Sequence, residues 1–305
     1  MNVAAATLPV TTDPDFKSWV STQLRAVESA LESWVPADAP AGLGVAMRYG
    51  VLDGGKRLRS LLVLAACDAV AGDAQAALRA AVAVELIHAY SLVHDDMPCM
   101  DNDVMRRGKP TVHVQFGQAQ AMLAGDAMQA LAFDVLTPTS GIEPALQARL
   151  CGLLARAAGH HGMAGGQAVD LASIGVVLDE HALQAMHERK TGALLQASVL
   201  MGGACGHTSA AQWQALADYG AAMGLAFQVV DDILDVTQAS DVLGKTAGKD
   251  QQTNKPTYVS VLGLARARQR TVELHQQALA ALSRGRLDKA ERLQRLAHMV
   301  VHRDS

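Results

Sequence analysis

Seven aspartates gathered in two short runs are the residues best suited to do chemistry. The first run, ELIHAYSLVHDDMPCMDND at 85–103, carries Asp95, Asp96, Asp101 and Asp103. The second, MGLAFQVVDDILDV at 223–236, carries Asp231, Asp232 and Asp235. Each pair ends a strongly apolar helical run. Gln228, Asp231 and Asp235 stand at i, i+3 and i+7 and so share one helix face, and His88, Ser91 and Asp95 do the same. Pro98 disfavours the helical conformation at Met97, so the chain can turn there and return Asp101 to the same mouth. A solvated acidic face is a poor explanation, because Leu, Ile, Val and Phe neighbours leave little polar surface around either pair. Like charges about 4 Å apart cost about 4 kcal/mol at an effective dielectric near 20. Such crowding persists when the acids are protonated, paired with bases or bound to metal. An all-oxygen donor set suits a hard cation, and Mg²⁺ shared between carboxylates and substrate phosphates fits best. The twelve-residue calcium-loop pattern is absent.

A metal bridging carboxylates to phosphates requires separate cations for the phosphate oxygens. Gly54-Gly55-Lys56-Arg57-Leu58-Arg59 reads as the opening of a helix with Lys56 and Arg59 on one face, and Arg106-Arg107-Gly108-Lys109 follows the first acidic run. Lys190 sits in the stripe Leu183, His187, Lys190, Leu194. Lys245, Lys249 and Lys255 follow the second acidic run. Any one of these is an ordinary exposed cation by base rate; their attachment to glycines and to the aspartates sets them apart.

Two competing chemistries are set aside. Gly50 to Lys56 matches most of a phosphate-binding GxxxxGK loop, but Arg57 stands where the metal-binding Ser or Thr belongs, and the preceding residues read as helix rather than strand. His94-Asp95 resembles the metal pair of helical phosphohydrolases. That class needs further histidine ligands, for which His113, His160 and His161 have no convincing spacing, and it leaves the second acidic run unexplained.

The elements that must position these residues are helical. The chain has 305 residues, half of them hydrophobic, with 18% charged, 4% aromatic and 55 alanines; Ala is the best helix former. That much apolar surface excludes a disordered chain. The net charge of −4 excludes a nucleic-acid-binding surface of the usual basic kind. No run of period-2 alternation bounded by hairpin turns is convincing. The 3.6-residue pattern predicts helices over about 14–34, 41–52, 57–71, 74–97, 112–136, 143–160, 179–205, 209–236, 257–283 and 286–302. Loops are expected at 98–111, 137–142, 161–178 and 237–256. Asp13 before Pro14, Asp73, and Ser209 with Gln212 read as caps. No low-complexity linker divides the chain, so a single all-α domain over 1–305 is expected. Cys67, Cys99, Cys151 and Cys205 stand apart with no CxxC pair, which suits a reducing compartment. The N-terminal residues do not read as a signal peptide. The uncharged stretch from Thr191 to Ala217 is interrupted by glycines and polar residues and does not read as a membrane span. A soluble cytoplasmic protein without stable membrane insertion is the expectation.

Taken together, these motifs resemble the trans-type prenyl diphosphate synthases, and most of all the short-chain farnesyl/geranylgeranyl group. The matching runs are GGKRLR at 54–59, LVHDDMPCMDNDVMRRGKPTVH at 92–113, GGQAVDL at 165–171, KTG at 190–192, FQVVDDILD at 227–235, LGKTAGKD at 243–250 and NKPTY at 254–258. The resemblance spans nearly the whole chain in the family's order. It implies a helical bundle around a deep central cavity, a homodimer, and Mg²⁺-dependent head-to-tail condensation of isopentenyl diphosphate with an allylic diphosphate (dimethylallyl or geranyl). The reaction proceeds by ionisation, condensation and elimination, and releases pyrophosphate.

The resemblance also implies roles. Asp95 and Asp101 would ligate Mg²⁺ on the allylic diphosphate with Asp96 in support, and Asp231 would hold a third ion with Asp235 acting through water; Mn²⁺ is an alternative metal. Lys56, Arg59, His88 and Arg107 would bind isopentenyl diphosphate. Arg106, Lys190, Lys245 and Lys255 would grip the allylic diphosphate, and Thr191 and Gln228 would present oxygen dipoles to the carbocation. Ser91 and Tyr90, four and five residues before the first aspartate, would form the floor that limits product length. Tyr90 lies about 7.5 Å below the metal-binding end, which favours the C15 product, farnesyl diphosphate; C10 and C20 products are the alternatives. Ser60 departs from the family, which often has Pro there, and Asn102 and Val104 replace common acidic residues. A non-catalytic partner subunit typically lacks the aspartates that are complete here. A terpene cyclase would carry a different second metal motif.

Overall fold

A computed structural model of the chain describes residues 13–52, 54–237 and 256–303. Its helices are α1 (Pro14–Trp34), α2 (Leu43–Val51), α3 (Leu58–Ala69), α4 (Ala74–Asp95), α5 (Val112–Phe116), α6 (Gln118–Leu136), α7 (Pro144–Ala158), α8 (Met163–Ala172), α9 (Glu180–His187), α10 (Ala193–Ala204), α11 (Ala210–Thr237), α12 (Tyr258–Leu262), α13 (Leu264–Gly285) and α14 (Glu291–Val301). The all-α expectation holds. The predicted caps form: the Asp13 and Asp73 carboxylates accept first-turn N–H groups, and Ser209 and Gln212 bond each other reciprocally.

Several expected boundaries move, each for a local reason. Gly117 and Gly263, at φ +87° and +78°, split the runs expected at 112–136 and 257–283. The stretch expected as a loop at 161–178 contains α8. Its glycines look like helix breakers, but Gly166 is a packing requirement, since a Cβ there would lie 2.2 Å from the Lys190 backbone nitrogen. The loop expected at 98–111 holds a two-residue antiparallel ribbon, Met105–Arg106 against Lys109–Pro110. The run over 179–205 is helical throughout but widens to a π turn at Glu188–Gly192 between α9 and α10. The GGKRLR segment is also corrected: α3 starts at Leu58, so Lys56 precedes the helix, because Gly54, Gly55 and Arg57 have φ of +115°, +112° and +46°.

The buried residues form two apolar clusters. The larger joins α3, α4, α6 and α10 through residues such as Leu62, Val84, Ile87, Met128 and Val199. The smaller joins α9, α11, α12 and α13 through Leu183, Met186, Val229, Tyr258 and Leu274. In α4, alanines at 76, 77, 80, 81 and 83 are all fully buried, which lets neighbours pack around every side of this helix. That explains why α4 alone among the described helices is long and apolar enough to cross a membrane: two-thirds (67%) of its most apolar stretch lies inside the protein. The uncharged 191–217 stretch is divided between α10 and α11.

Candidate active site

The C-terminal end of α4 forms one wall of a cavity of about 380 Å³, with Tyr90, Ser91, His94 and Asp95 lining it. Opposite stand Met163, Ala164, Gln167, Ala168 and Leu171 of α8. Arg59, His88, Leu92, Met100, Lys190 and Thr191 complete the lining. Beyond α4 the chain folds back as Pro98 suggested. The Asp101 N–H donates to the Asp95 carbonyl at 2.8 Å, and the Asp103 N–H to the Asp96 carbonyl at 3.1 Å. Burial pushes the Asp95 carboxyl up to about 6; the Asp101 and Asp96 charges push the same way, against Lys190 and Arg106. Asp96 does not line this cavity but a smaller pocket beside Arg106 and Arg107. It receives Arg106 Nε at 2.9 Å on each oxygen and Nη2 at 2.6 Å. Two of the three Arg106 nitrogens are therefore turned to Asp96 rather than outward, a feature the sequence did not reveal.

The second acidic run reaches this cavity through Thr191. The Thr191 hydroxyl donates to Gln228 Oε1 at 2.9 Å, and the Gln228 amide donates to Asp232 Oδ1 at 2.8 Å. Asp232 also accepts the Tyr258 N–H at 2.7 Å. Asp231 and Asp235 do not line the 380 Å³ cavity. The charge of Asp231 is nevertheless felt by Lys56, Arg59 and His187. Asp231 Oδ1 lies 3.0 Å from Arg303 Nη2, whose guanidinium also stacks over the Phe227 ring at 4.2 Å. Lys190 Nζ lies 2.5 Å from the buried Asp170 carboxylate.

The cationic side is dense. Arg59 is half-buried, and its enclosed Nε has no hydrogen-bond partner. Arg107 donates to the Gly54 carbonyl at 2.7 Å and lies across Gly55. Burial, with Arg59, Arg107, Arg106 and Arg57 around it, pushes His88 well below the ordinary histidine range, so the ring is neutral at pH 7.

Of the predicted residues, Arg59, His88, Tyr90, Ser91, Asp95, Lys190 and Thr191 line the cavity, while Lys56, Asp96, Asp101, Arg106, Arg107, Gln228, Asp231 and Asp235 lie outside its lining. Lys245 and Lys255 lie outside the described residues. The residues not singled out beforehand are Arg57, Glu85, Gln167, Asp170 and Arg303. Gln167 and Asp170 belong to the quoted GGQAVDL run, which was the available signal. Glu85 is one acid in an apolar helix, and Arg303 a single arginine, so neither carried one.

The donor chemistry fits Mg²⁺. Asp95 and Asp101 offer hard oxygens from adjacent backbone turns, and Asp95, made a weaker acid by burial first and by the Asp101 and Asp96 charges after it, gains from a bound cation. Among the described residues no three His, Cys, Asp or Glu side chains close on one point. An ion held here would therefore complete its shell with water or substrate oxygens, as Mg²⁺ commonly does.

Comparisons with known proteins agree with this geometry. The family description "Polyprenyl synthetase" matches residues 41–297. The chain is 44% identical over 298 residues, 95% of its length and 80% of the relative's, to the heterodimeric geranylgeranyl pyrophosphate synthase large subunit 1 of Arabidopsis thaliana, a chloroplastic protein. The crystal structure of an FPP/GFPP synthase from Zymomonas mobilis is 39% identical with a TM-score of 0.83, covering 94% of this chain and 99% of that one. A geranyltransferase from Helicobacter pylori, solved with magnesium and isoprenyl diphosphate, is 33% identical with a TM-score of 0.82, covering 95% and 97%. The chain belongs to the polyprenyl synthetase family and is a prenyl diphosphate synthase.

Proposed function

We propose that this synthase stops at farnesyl diphosphate, with Tyr90 as the floor of the chain-binding cavity and Ser91 beside it. The observation that carries the reading is the placement of Tyr90: it lines the cavity about 1.4 helical turns below Asp95 and stacks edge-on against His94 at 5.7 Å. A competing reading, geranylgeranyl diphosphate as product, is favoured by relatives such as the Arabidopsis protein that carry that name at 44% identity. The whole chain, 1–305, acts in this proposal as one prenyltransferase unit.

Asp95, Asp101, Asp231 and Asp235 would hold the Mg²⁺ ions, three per site. When bound, Mg²⁺ supplies positive charge to the diphosphate leaving group. Lys190, Arg106, Lys245 and Lys255 would add to that charge at the allylic diphosphate, with Asp170 and Asp96 fixing where Lys190 and Arg106 point. The Thr191 hydroxyl spends its hydrogen on Gln228, so it can offer only lone pairs to an allylic cation. Met163, Ala164, Ala168 and Leu171 keep water from that cation. Lys56, Arg59, Arg107 and neutral His88 would place isopentenyl diphosphate. The proton lost from its C2 would leave with the departing pyrophosphate.

A homodimer is part of the proposal, supported by exposed Val45, Met122 and Leu123 on packed helices α2 and α6; mass photometry tests it. So is a cytoplasmic location, in keeping with four unpaired cysteines, though the Arabidopsis relative is chloroplastic. Incubation with isopentenyl and dimethylallyl diphosphates plus Mg²⁺ should give C15 product, and EDTA should abolish it. Tyr90→Ala should shift the product to C20 or longer. A C20 product from the unaltered protein, or no change in the Tyr90 variant, overturns the farnesyl reading.

A further inference from the structure

The phosphate-binding segment is anchored by a buried carboxylate from another helix. Glu85 of α4, 3% exposed, lies beside the first turn of α3. Its Oε1 accepts the Ser60 backbone N–H at 3.2 Å. The Ser60 hydroxyl donates to the Ala81 carbonyl at 2.9 Å, with Glu85 Oε1 at 3.2 Å as the alternative acceptor. The other carboxylate oxygen lies 3.4 Å from Arg57 Nη1. Arg57, in turn, donates to Glu28 at 2.7 Å and to the Val51 carbonyl at 2.6 Å.

The physical logic is that of a helix cap supplied from outside. First-turn N–H groups of a helix have no internal acceptor, and Arg57 at the N-cap provides none. A carboxylate there satisfies one donor and sits at the positive end of the helix dipole. Glu85 also supplies negative charge next to Arg57, Arg59 and Arg107. These guanidiniums can therefore stay clustered before an anion arrives, and Arg59 is held where its head faces the cavity.

We propose that Ser60, through its two donors to Glu85 and Ala81, is a positioning residue that sets the affinity of the basic cluster for the diphosphate of isopentenyl diphosphate. The inference rests on the assignment of Lys56, Arg59, His88 and Arg107 to that substrate. Ser60 itself is fully buried and lies outside the cavity lining.

Ser60→Pro is the informative substitution. Proline is tolerated in the first helical turn, yet it removes both the N–H and the hydroxyl. Initial rates are measured with each substrate varied against a saturating level of the other, in the unaltered protein, Ser60→Pro, Ser60→Ala and Arg59→Lys, alongside melting temperatures. In Ser60→Pro the KM for isopentenyl diphosphate should rise about tenfold, as expected for a lost bond to a charged group, with kcat and the KM for geranyl diphosphate unmoved. Ser60→Ala, which keeps the N–H, should fall between. An unchanged KM in Ser60→Pro overturns the proposal, as does a rise in both KM values together, which marks general loosening. Should the proline variant not fold, the alanine variant decides, and a wild-type KM there sinks the idea. If Arg59→Lys leaves the KM for isopentenyl diphosphate unmoved, the site assignment itself fails and the proposal falls with it.

Discussion

The two aspartate pairs are built alike and supported differently. In each, the second carboxylate is tied into the protein, Asp96 by Arg106 and Asp232 by the Gln228 amide and the Tyr258 N–H; the first carboxylates differ, Asp95 lining the cavity and Asp231 lying outside its lining against Arg303. The clamp on Asp96 is a permanent cation. Asp232 accepts the Gln228 amide and the Tyr258 N–H, and Tyr258 stacks on the buried ring of His187 at 5.6 Å.

The division of labour within each pair can be broken directly. Asp95→Asn and Asp231→Asn should each lower kcat/KM by about a thousandfold or more, the scale of losing a group that stabilises developing charge, with melting temperature retained. Asp96→Ala and Asp232→Ala should cost about ten- to a hundredfold, as for residues that orient others, and should also lower the melting temperature because they strand a buried donor. Equal losses across all four variants, with stability unchanged, would erase the distinction.

The difference between the pairs is sharpened by pH. Burial, together with Lys190, lowers His187 from 6.5 to about 4. Between these values the unfolded chain binds a proton that the folded protein refuses, so stability falls as pH drops from 6.5 towards 4 and levels off below. The limiting slope is about 1.4 kcal/mol per pH unit. His298, also lowered to about 4, adds its own share, so the measurement is a difference. The difference in urea midpoint between the unaltered protein and His187→Phe should shift in favour of the phenylalanine variant as pH falls through this window. A difference that does not change with pH would show that His187 carries no such linkage.

Much of this was legible because it is local. The apolar helical runs, the Asp13, Asp73 and Ser209 caps, the turn at Pro98 and the two acidic runs depend on neighbours within a few residues. The cavity-facing members of those runs follow from helical spacing alone. What escaped notice depends on approach between distant segments. Glu85 reaches across to Ser60 and Arg57, Asp170 to Lys190, and Arg303 to Asp231, 72 residues away in the chain. The α8 glycines looked like a loop because their reason, the backbone at Lys190, lies in another element. Arg57 looked like one more surface cation, yet it is 4% exposed.

The wide turn at Glu188–Gly192 is wedged between two glycines. A Cβ at Gly166 would meet Lys190, and one at Gly224 would lie 2.6 Å from the Gly192 Cα. Its surplus residue works as a phase shifter, since one residue rotates a helix by about 100°. Upstream, Leu183 and Met186 lock into one greasy nucleus; downstream, Leu194 and Leu195 lock into the other. Deleting a single residue here would preserve composition and helicity while swinging one half out of mesh, so the length of this segment is as constrained as its chemistry.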